Sequence, residues 1–408
     1  MDLKKIYNYS FLLIAIFPLV SLRWSTNFII IWSLLSVLQY FKEESYKDFE
    51  KKDLVNWGFL SMYYLFLLGS YLISGFNRNL LKFLETDAFF IVFPLLVILN
   101  KKNIEEKTLE RSLKVFFISN VLLAIWSWGH ILFLGFFKLQ KENNFYQPVF
   151  RNLFSDLTSI HLPYLGLLFV FSIFIGVFWF KKATSIIFKT VILLSCLLLL
   201  SSIVTFAAQM SLLTFIVIGL FLLFFSIKTL KIRLIGIVFF LIATLLLITQ
   251  TPIKQRLYST LKVKFELPSA AFNDKEHEVN FRYGIYYCAS SLLKEGFWFG
   301  IGKENLDQEL QSCYDTFTFR GVNDFQKVFY NTHNQYLDMI LSYGIFGAII
   351  VLLSVFFGFF KSPNLIYKVF LFIIALALLT ENIFDRQIGV VCFVFFNTLF
   401  YIKQLKTN

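Results

Sequence analysis

A histidine and an asparagine stand where a polar segment gives way to a long apolar one. His333 and Asn334 open the sequence His-Asn-Gln-Tyr-Leu at 333–337, and an apolar run follows. If Asn331 or Thr332 caps a helix there, His333 lies in its first turn, where the helix dipole favours the uncharged imidazole. An uncharged imidazole can accept a proton from a hydroxyl group. The alternative is an interfacial histidine that is hydrogen-bonded to loop backbone.

An arginine stands at the predicted start of an upstream helix that Asn280 can cap and Gly296 can end. A guanidinium at a helix start opposes the helix dipole, so Arg282 needs another partner. Its planar fork suits two phosphate oxygens. A salt bridge to Glu278 or Glu295 is the alternative.

The motifs around these two residues resemble those of the O-antigen ligase and O-antigen polymerase superfamily. The resemblance is carried by Arg282 with an aromatic residue at 286 or 287, the glycine-rich stretch 296–302, the sequence 333–337, Gly344 with Gly347, and the stretch 381–389. The sequence 160–164 is also similar to a pattern in some members. The ligase-like core is expected over 184–360.

The resemblance implies a membrane glycosyltransferase that uses no metal and no cofactor and inverts the anomeric centre. The donor would be a glycan on undecaprenyl diphosphate. The acceptor would be a sugar hydroxyl of lipid A-core for a ligase, or another lipid-linked repeat for a polymerase. Arg282 would stabilise the leaving diphosphate, and His333 would orient or deprotonate the acceptor hydroxyl. The residues implied to bind the diphosphate or the acceptor are Gln209, Asn334, Arg386, His161, Tyr164 and Glu381.

One position departs from the family pattern. Members commonly carry a Ser-Arg pair in the outer turn between spans seven and eight, and Gln209 stands in place of that arginine. An amide can hydrogen-bond a phosphate but cannot neutralise it. Either another cation replaces the arginine, or the activity is altered or lost. Arg386 is preferred for its place in the last outer turn, although it can instead pair with Asp385 or Glu381, and the other candidates are Arg320, Lys303 and Arg151.

The composition of the chain indicates which kind of secondary structure positions these residues. Of the 408 residues, 57% are hydrophobic and 16% are charged, and the mean hydropathy is +0.68. Apolar runs without period-two alternation predict membrane helices. We therefore predict an all-α polytopic membrane protein, a single integral membrane domain over 1–408 with about twelve spans. The spans are roughly 9–22, 24–41, 54–75, 83–100, 112–137, 160–180, 184–205, 209–227, 234–249, 332–360, 365–380 and 387–401.

The distribution of basic residues predicts the topology. Lys and Arg concentrate in the tails and the even-numbered connections, which places both termini in the cytoplasm. The resemblance implies that the membrane is the inner membrane of a bacterium. The long loop 251–331, between spans nine and ten, is then periplasmic. Its apolar residues at helical spacing predict an ordered loop with a second short helix near 306–310. The net charge of +12 follows from topology and does not indicate nucleic-acid binding.

Two of the four cysteines, Cys288 and Cys313, lie in this loop. On an oxidising outer face they can form a disulfide that closes about 25 residues. The alternative is two reduced thiols. The four histidines are scattered and no CxxC sequence occurs, so no metal site is predicted.

Two other classes of protein compete with the enzyme. A transporter or flippase for lipid-linked oligosaccharides would carry ionisable residues at the bilayer midplane. Here the centres of the spans are nearly free of charge, which favours the enzyme. The third interpretation is a structural or assembly subunit without catalysis, which would explain why Gln209 stands in place of the usual arginine.

Overall fold

The computed structural model describes residues 2–134, 148–249, 254, 281–316 and 330–407. No strand occurs among them, and short 3₁₀ turns lie at Ser45–Asp48 and Ile383–Asp385. The helices in chain order are α1 (Leu3–Ala15), α2 (Leu22–Lys42), α3 (Lys51–Leu60), α4 (Met62–Ile73), α5 (Arg78–Asp87), α6 (Phe89–Leu99), α7 (Thr108–Phe133), α8 (Pro148–Thr158), α9 (Leu162–Lys182), α10 (Ile186–Thr205), α11 (Gln209–Ser226), α12 (Leu230–Thr249), α13 (Phe281–Gly296), α14 (Lys303–Asp315), α15 (Gln335–Lys361), α16 (Leu365–Leu378) and α17 (Gln387–Thr407).

The chain folds into two compact units, each assembled from three separate stretches of sequence. The stretches of the first unit are Met1–Leu35, Asn103–Ser259 and Ser362–Ala377. Those of the second are Ser36–Lys102, Thr260–Lys361 and Leu378–Asn408. The predicted ligase-like core, 184–360, contributes to both units.

Six of the described helices are long and apolar enough to cross a membrane, namely α7, α9, α10, α12, α15 and α17. Three more, α4, α11 and α16, are apolar but shorter. The predicted span 54–75 is divided at Ser61 into α3 and α4, and the predicted span 83–100 is divided at Ala88 into α5 and α6. The structure thus confirms an all-helical chain with membrane-length helices. It does not confirm the count of twelve spans or the placement of the long loop.

In the first unit, α9 is the most enclosed helix. Nearly every residue from Leu162 to Gly176 is buried, and the ring of Phe171 lies 5.5 Å from that of Phe116 in α7. At the start of α9, the hydroxyl of Ser211 in α11 donates a hydrogen bond of 3.4 Å to the carbonyl oxygen of Pro163. The first turns of α9 and α11 therefore lie at the same end of this unit.

In the second unit, α15 is broken at Gly344, whose φ of 72° and ψ of 170° are not helical. In an unbroken helix the Leu341 carbonyl would accept from the Ile345 N–H. Here the Leu341 carbonyl accepts from the N–H of Ile301 at 2.7 Å, and the Ile345 N–H donates to the carbonyl of Phe297 at 2.8 Å. The loop after α13 thus closes the break with its own backbone, which satisfies groups that lipid could not.

Two glycines permit this close approach. Gly300 has a φ of 78°, and a Cβ there would lie 2.7 Å from the carbonyl oxygen of Ser342. A Cβ on Gly344 would collide with the carbonyl oxygen of Trp298 and lie 2.6 Å from the Cα of Phe299. Only glycine adopts positive φ without a steric penalty and leaves this space free.

The helices α13 and α14 are joined by a disulfide between Cys288 and Cys313, whose Cα atoms lie 5.8 Å apart. Both helices pack on α15 through one apolar core, formed by Ile285, Cys288, Ala289, Leu306, Leu310, Tyr314 and Leu341. A cross-link that closes about 25 residues stabilises a fold by roughly 3 kcal/mol in the chain-entropy view. The helix α13 ends at Gly296, as the sequence predicts, and its predicted cap Asn280 lies outside the described residues.

Replacing Gly344 by alanine should prevent the loop from closing the helix break. The added Cβ has no room beside Trp298 and Phe299, and positive φ strains an alanine. We expect a loss of at least about 3 kcal/mol of folding free energy. Thermal unfolding of the purified protein in detergent measures the change.

Gly69→Ala in α4 is the matched control, because a Cβ there meets nothing within 4 Å. This substitution should be neutral or stabilising by up to about 1 kcal/mol. Equal unfolding midpoints for the two variants would contradict the role assigned to Gly344.

Candidate active site

The segment before α15 has a tight local structure of its own. His333 adopts a φ of 45°, in the left-handed region, and its N–H donates to Oδ1 of Asn331 at 3.2 Å. The Asn334 Oδ1 accepts from the N–H of Leu337 at 3.1 Å, which makes Asn334 the cap of α15. The buried hydroxyl of Thr332 donates to the carbonyl of Asn334 at 2.9 Å.

The predicted placement of His333 inside the first helical turn is therefore wrong. The helix begins at Gln335, and neither Asn331 nor Thr332 caps it. An asparagine at position 331 or at position 334 could cap a helix equally well. The backbone bend at His333 is what places Asn334, and not Asn331, before the first helical residue. A left-handed residue other than glycine costs about 1–2 kcal/mol, and such strain concentrates at functional sites.

Glu381 brings the two predicted catalytic residues together. The Arg282 Nη2 lies 3.3 Å from Glu381 Oε1, and the His333 Nδ1 lies 3.8 Å from Oε2 of the same carboxylate. The Glu381 side chain is 7% exposed, whereas the side chains of Arg282 and His333 are 41% and 29% exposed. A guanidinium and an imidazole thus lie beside the two oxygens of one buried carboxylate.

The two contacts of Glu381 differ in kind. Arg282 donates a charge-assisted hydrogen bond, which compensates the burial of the carboxylate. The separation of 3.8 Å from His333 is too long for a hydrogen bond, and the buried Nδ1 has no hydrogen-bond partner among the described residues. The pair with Glu381 is not one of the salt bridges that the sequence suggests for Arg282, and Glu278 lies outside the described residues.

A buried lysine forms a second cluster of charges. Lys303, the first residue of α14, is 3% exposed, and its Nζ lies 2.8 Å from Asp338 Oδ1 and 3.4 Å from Asp385 Oδ1. Burial by itself would lower the pKa of the ammonium, but the two carboxylates outweigh burial and hold the pKa of Lys303 well above its ordinary value. Because the pKa of Lys303 is raised in the folded protein, the stability that the protonated amine contributes is present below the ordinary pKa of lysine and is lost as the pH rises through the raised pKa.

Asn382 connects this cluster to the segment that carries His333. Its Nδ2 donates to Asp338 Oδ2 at 2.9 Å and to Asp385 Oδ2 at 3.0 Å. Its Oδ1 lies 3.2 Å from the hydroxyl oxygen of Thr332. The Asn331 Nδ2 donates to Asp385 at 3.3 Å. The segments 331–334 and 381–386 are thus tied to each other and to Lys303.

Arg386 directly precedes α17 and is exposed. It forms no ion pair with any residue that the structure describes. The carboxylates that the sequence offers it are engaged elsewhere, Asp385 by Lys303 and Glu381 by Arg282. An exposed guanidinium beside the Glu381 segment is open to an anionic ligand.

The other candidate replacement cations do not provide an exposed charge among the described residues. Lys303 is buried and paired with two carboxylates, so it is not available to a phosphate. Arg320 and the side chain of Arg151 lie outside the described part of the chain.

The remaining predicted contact residues belong to the first unit. His161 is exposed and directly precedes α9, and its ring lies 5.9 Å from the ring of the buried Tyr164. Gln209 is the half-buried first residue of α11, after a turn in which Ala207 has a φ of 47°. The contact between Ser211 and Pro163 places these residues at one end of the first unit.

Sequence reasoning missed the roles of Asp338, Asn382 and Lys303. Asp338 carried a usable signal, because an ionisable residue in the first turn of an apolar helix must find a partner. No local pattern predicted that Asp338 is a partner of both Lys303 and Asn382, since it lies 35 and 44 residues away from them in sequence.

Comparison with known families agrees with the motifs. Residues 194–352 match the family model Wzy_C, described as O-Antigen ligase. Members of this family are membrane glycosyltransferases of the ligase or polymerase type. The match over this stretch confirms the resemblance of the chain to the O-antigen ligase superfamily. No curated protein matches the chain. The match includes Gln209, Arg282, His333 and Asn334, and it ends before Glu381 and Arg386.

Replacing Lys303 by methionine should destabilise the second unit. Methionine has a similar length, so the loss is mainly of charge, and it leaves Asp338 and Asp385 buried without a cation. Removing one partner of a buried ion pair costs about 3–5 kcal/mol. Thermal unfolding in detergent measures this change.

Lys294→Met, at an exposed position of α13, is the matched control and should change the stability by less than about 0.5 kcal/mol. Adding Asp338→Asn to Lys303→Met should recover part of the loss, since one unpaired charge is removed. The importance of the cluster is refuted if Lys303→Met unfolds at the same temperature as Lys294→Met.

Proposed function

We propose that the protein is an O-antigen ligase-like glycosyltransferase. It moves a glycan from undecaprenyl diphosphate to a sugar hydroxyl of lipid A-core on the outer face of the bacterial inner membrane, with the long loop in the periplasm and both termini in the cytoplasm. The observation that carries the proposal is that Arg282 and His333 lie beside the two oxygens of Glu381. The chain also matches the O-antigen ligase family model.

Arg282 acts on the leaving group. As the bond between the anomeric carbon and the phosphate oxygen breaks, negative charge accumulates on the diphosphate. A guanidinium held at that place stabilises the transition state more than the ground state. Its side chain is 41% exposed, so a ligand can reach it while it pairs with Glu381.

His333 acts on the acceptor. The imidazole Nε2 takes the proton of the acceptor hydroxyl, whose oxygen bonds to the anomeric carbon from the face opposite the diphosphate. Undecaprenyl diphosphate leaves with the bonding electron pair, so the anomeric centre is inverted and no metal or cofactor enters the step. The proton then passes from the imidazolium to solvent.

Further polar residues would hold the two substrates. Asn334 uses its carbonyl oxygen to cap α15, so only its amide N–H groups remain for a sugar hydroxyl. Arg386 would supply a second cation to the diphosphate. Gln209, in the first unit, is proposed as a polar substrate contact. His161 and Tyr164 are proposed as further substrate contacts. The alternative function, a polysaccharide repeat polymerase, shares this donor chemistry and differs in its acceptor.

The central test uses purified protein in lipid nanodiscs with a synthetic undecaprenyl-diphosphate glycan. Lipid A-core and a second lipid-linked glycan are supplied as separate acceptors. His333→Ala should lower kcat by about 10²–10⁴-fold because the proton acceptor is lost. Arg282→Ala should lower kcat by about 10²–10³-fold because the leaving charge loses its donor.

His130→Ala and Lys294→Ala are the controls, since both residues are exposed and lie outside the proposed site. They should transfer at the normal rate. Product on lipid A-core supports the ligase, and product only on the lipid-linked glycan supports the polymerase. Movement of the intact donor across the bilayer without transfer would support the flippase, and full activity of both site variants would refute the mechanism.

Arg386→Gln tests the replacement cation. Loss of one charge-assisted contact to the diphosphate should raise the KM for the donor about tenfold, with a smaller effect on the KM for the acceptor. Lys294→Gln removes an exposed charge from α13 and should leave both KM values unchanged. An unchanged donor KM for Arg386→Gln would exclude Arg386 from the donor site.

A further inference from the structure

Glu381 is shared unequally between the two catalytic candidates. It accepts a hydrogen bond from Arg282 at 3.3 Å, while His333 Nδ1 stands 3.8 Å away and has no hydrogen-bond partner among the described residues. An unsatisfied ring nitrogen in a buried position costs about 1–3 kcal/mol. A movement of the carboxylate towards His333, away from Arg282, would relieve this.

A diphosphate would remove the obstacle to that movement. Phosphate oxygens compete for a guanidinium with the same bidentate geometry as a carboxylate and with more charge. The side chain of Arg282 is 41% exposed and can turn towards a ligand, whereas Glu381, at 7%, cannot follow it into solvent. Once Arg282 binds the phosphate, the buried Glu381 carboxylate has one nearby donor among the described residues, the Nδ1–H of His333.

We propose that Glu381 is a positioning residue that exchanges Arg282 for His333 when the donor diphosphate binds. This inference rests on the proposed function, since it takes the diphosphate donor from there. The exchange fixes the proton of the uncharged ring on Nδ1, which leaves the Nε2 lone pair for the acceptor hydroxyl. During transfer the Nε2 gains the hydroxyl proton, and Glu381 stabilises the imidazolium that forms. Donor binding thereby prepares His333 for the acceptor.

The other charged residues that the structure describes near Glu381 are either paired with one another or exposed. Lys303 of α14, Asp338 of α15 and Asp385 pair with one another. Arg386 is exposed, and the neutral ring of Tyr330 lies 6.2 Å from the ring of His333. Among the described residues, Glu381 is therefore the carboxylate that responds when Arg282 changes partner.

The first test separates binding from turnover, with undecaprenyl diphosphate as the binding probe. In Glu381→Gln the diphosphate no longer competes with a carboxylate for Arg282, so the probe should bind about 5-fold more tightly. Transfer should nevertheless fall at least about 10-fold, because His333 loses its orienting partner. Glu309→Gln, at an exposed position of α14, is the matched control and should change neither quantity. A residue that only maintains the fold would weaken both binding and transfer when replaced.

The second test uses the unaltered protein, so it holds even if Glu381→Gln does not fold. The chain has four histidines, and ¹⁵N labelling of their rings with a His333→Gln reference assigns the His333 signals. Addition of undecaprenyl diphosphate should move the His333 spectrum to the tautomer protonated on Nδ1. Undecaprenol, which lacks the diphosphate, should leave the spectrum unchanged.

The outcomes distinguish this inference from the proposed function. Tighter probe binding by Glu381→Gln together with the tautomer change supports the exchange, whether or not a transfer product is found. Normal transfer by the unaltered protein with unchanged probe affinity in Glu381→Gln, or with no change at His333, overturns the exchange and leaves the glycosyltransferase intact. Failure of the unaltered protein to bind undecaprenyl diphosphate overturns both.

Discussion

The second unit depends on one ammonium group that is kept out of water. Lys303 is buried between Asp338 and Asp385, and the buried carboxylate of Asp338 in turn has Lys303 and Asn382 as partners. Moving a charge into an apolar interior costs several kcal/mol unless its partners are in place. The cluster therefore fixes where α14, the start of α15 and the segment 381–386 meet.

The position of the candidate site follows from this constraint. Asn382 follows Glu381 directly, and Thr332 precedes His333 directly, so the contact of Asn382 with Thr332 sets the distance between carboxylate and imidazole. The strained backbone of His333 is maintained by its hydrogen bond to Asn331 and by the contacts of Asn331 and Thr332 with the segment 381–386. A left-handed backbone persists only where the surroundings determine it. The buried network thus positions the chemistry without taking part in it.

Arg282 reaches the site by a different route. Its helix α13 is connected to α14 by the disulfide of Cys288 and Cys313. The loop that follows α13 forms hydrogen bonds with the backbone at the break of α15. Lipid offers no hydrogen bonds, so a broken helix must obtain them from protein. The glycines that permit this also carry the family resemblance, which gives that part of the motif a structural reason. Arg282 and the buried carboxylate of Glu381 are paired, so their opposite charges compensate each other.

Sequence alone determined the all-helical class, the C-terminal end of α13 at Gly296, the cysteine pair as a candidate disulfide, and Arg282 with His333 as the residues to examine. These follow from periodicity, glycine positions and residue chemistry, which act over a few residues. Tertiary structure decided that Asn334 caps α15, that Lys303 is buried, and that Glu381 faces both Arg282 and His333. Arg282 and Glu381 are 99 residues apart, and no local pattern encodes such a contact. It forms because buried charges must find partners, and only packing determines which partners are within reach.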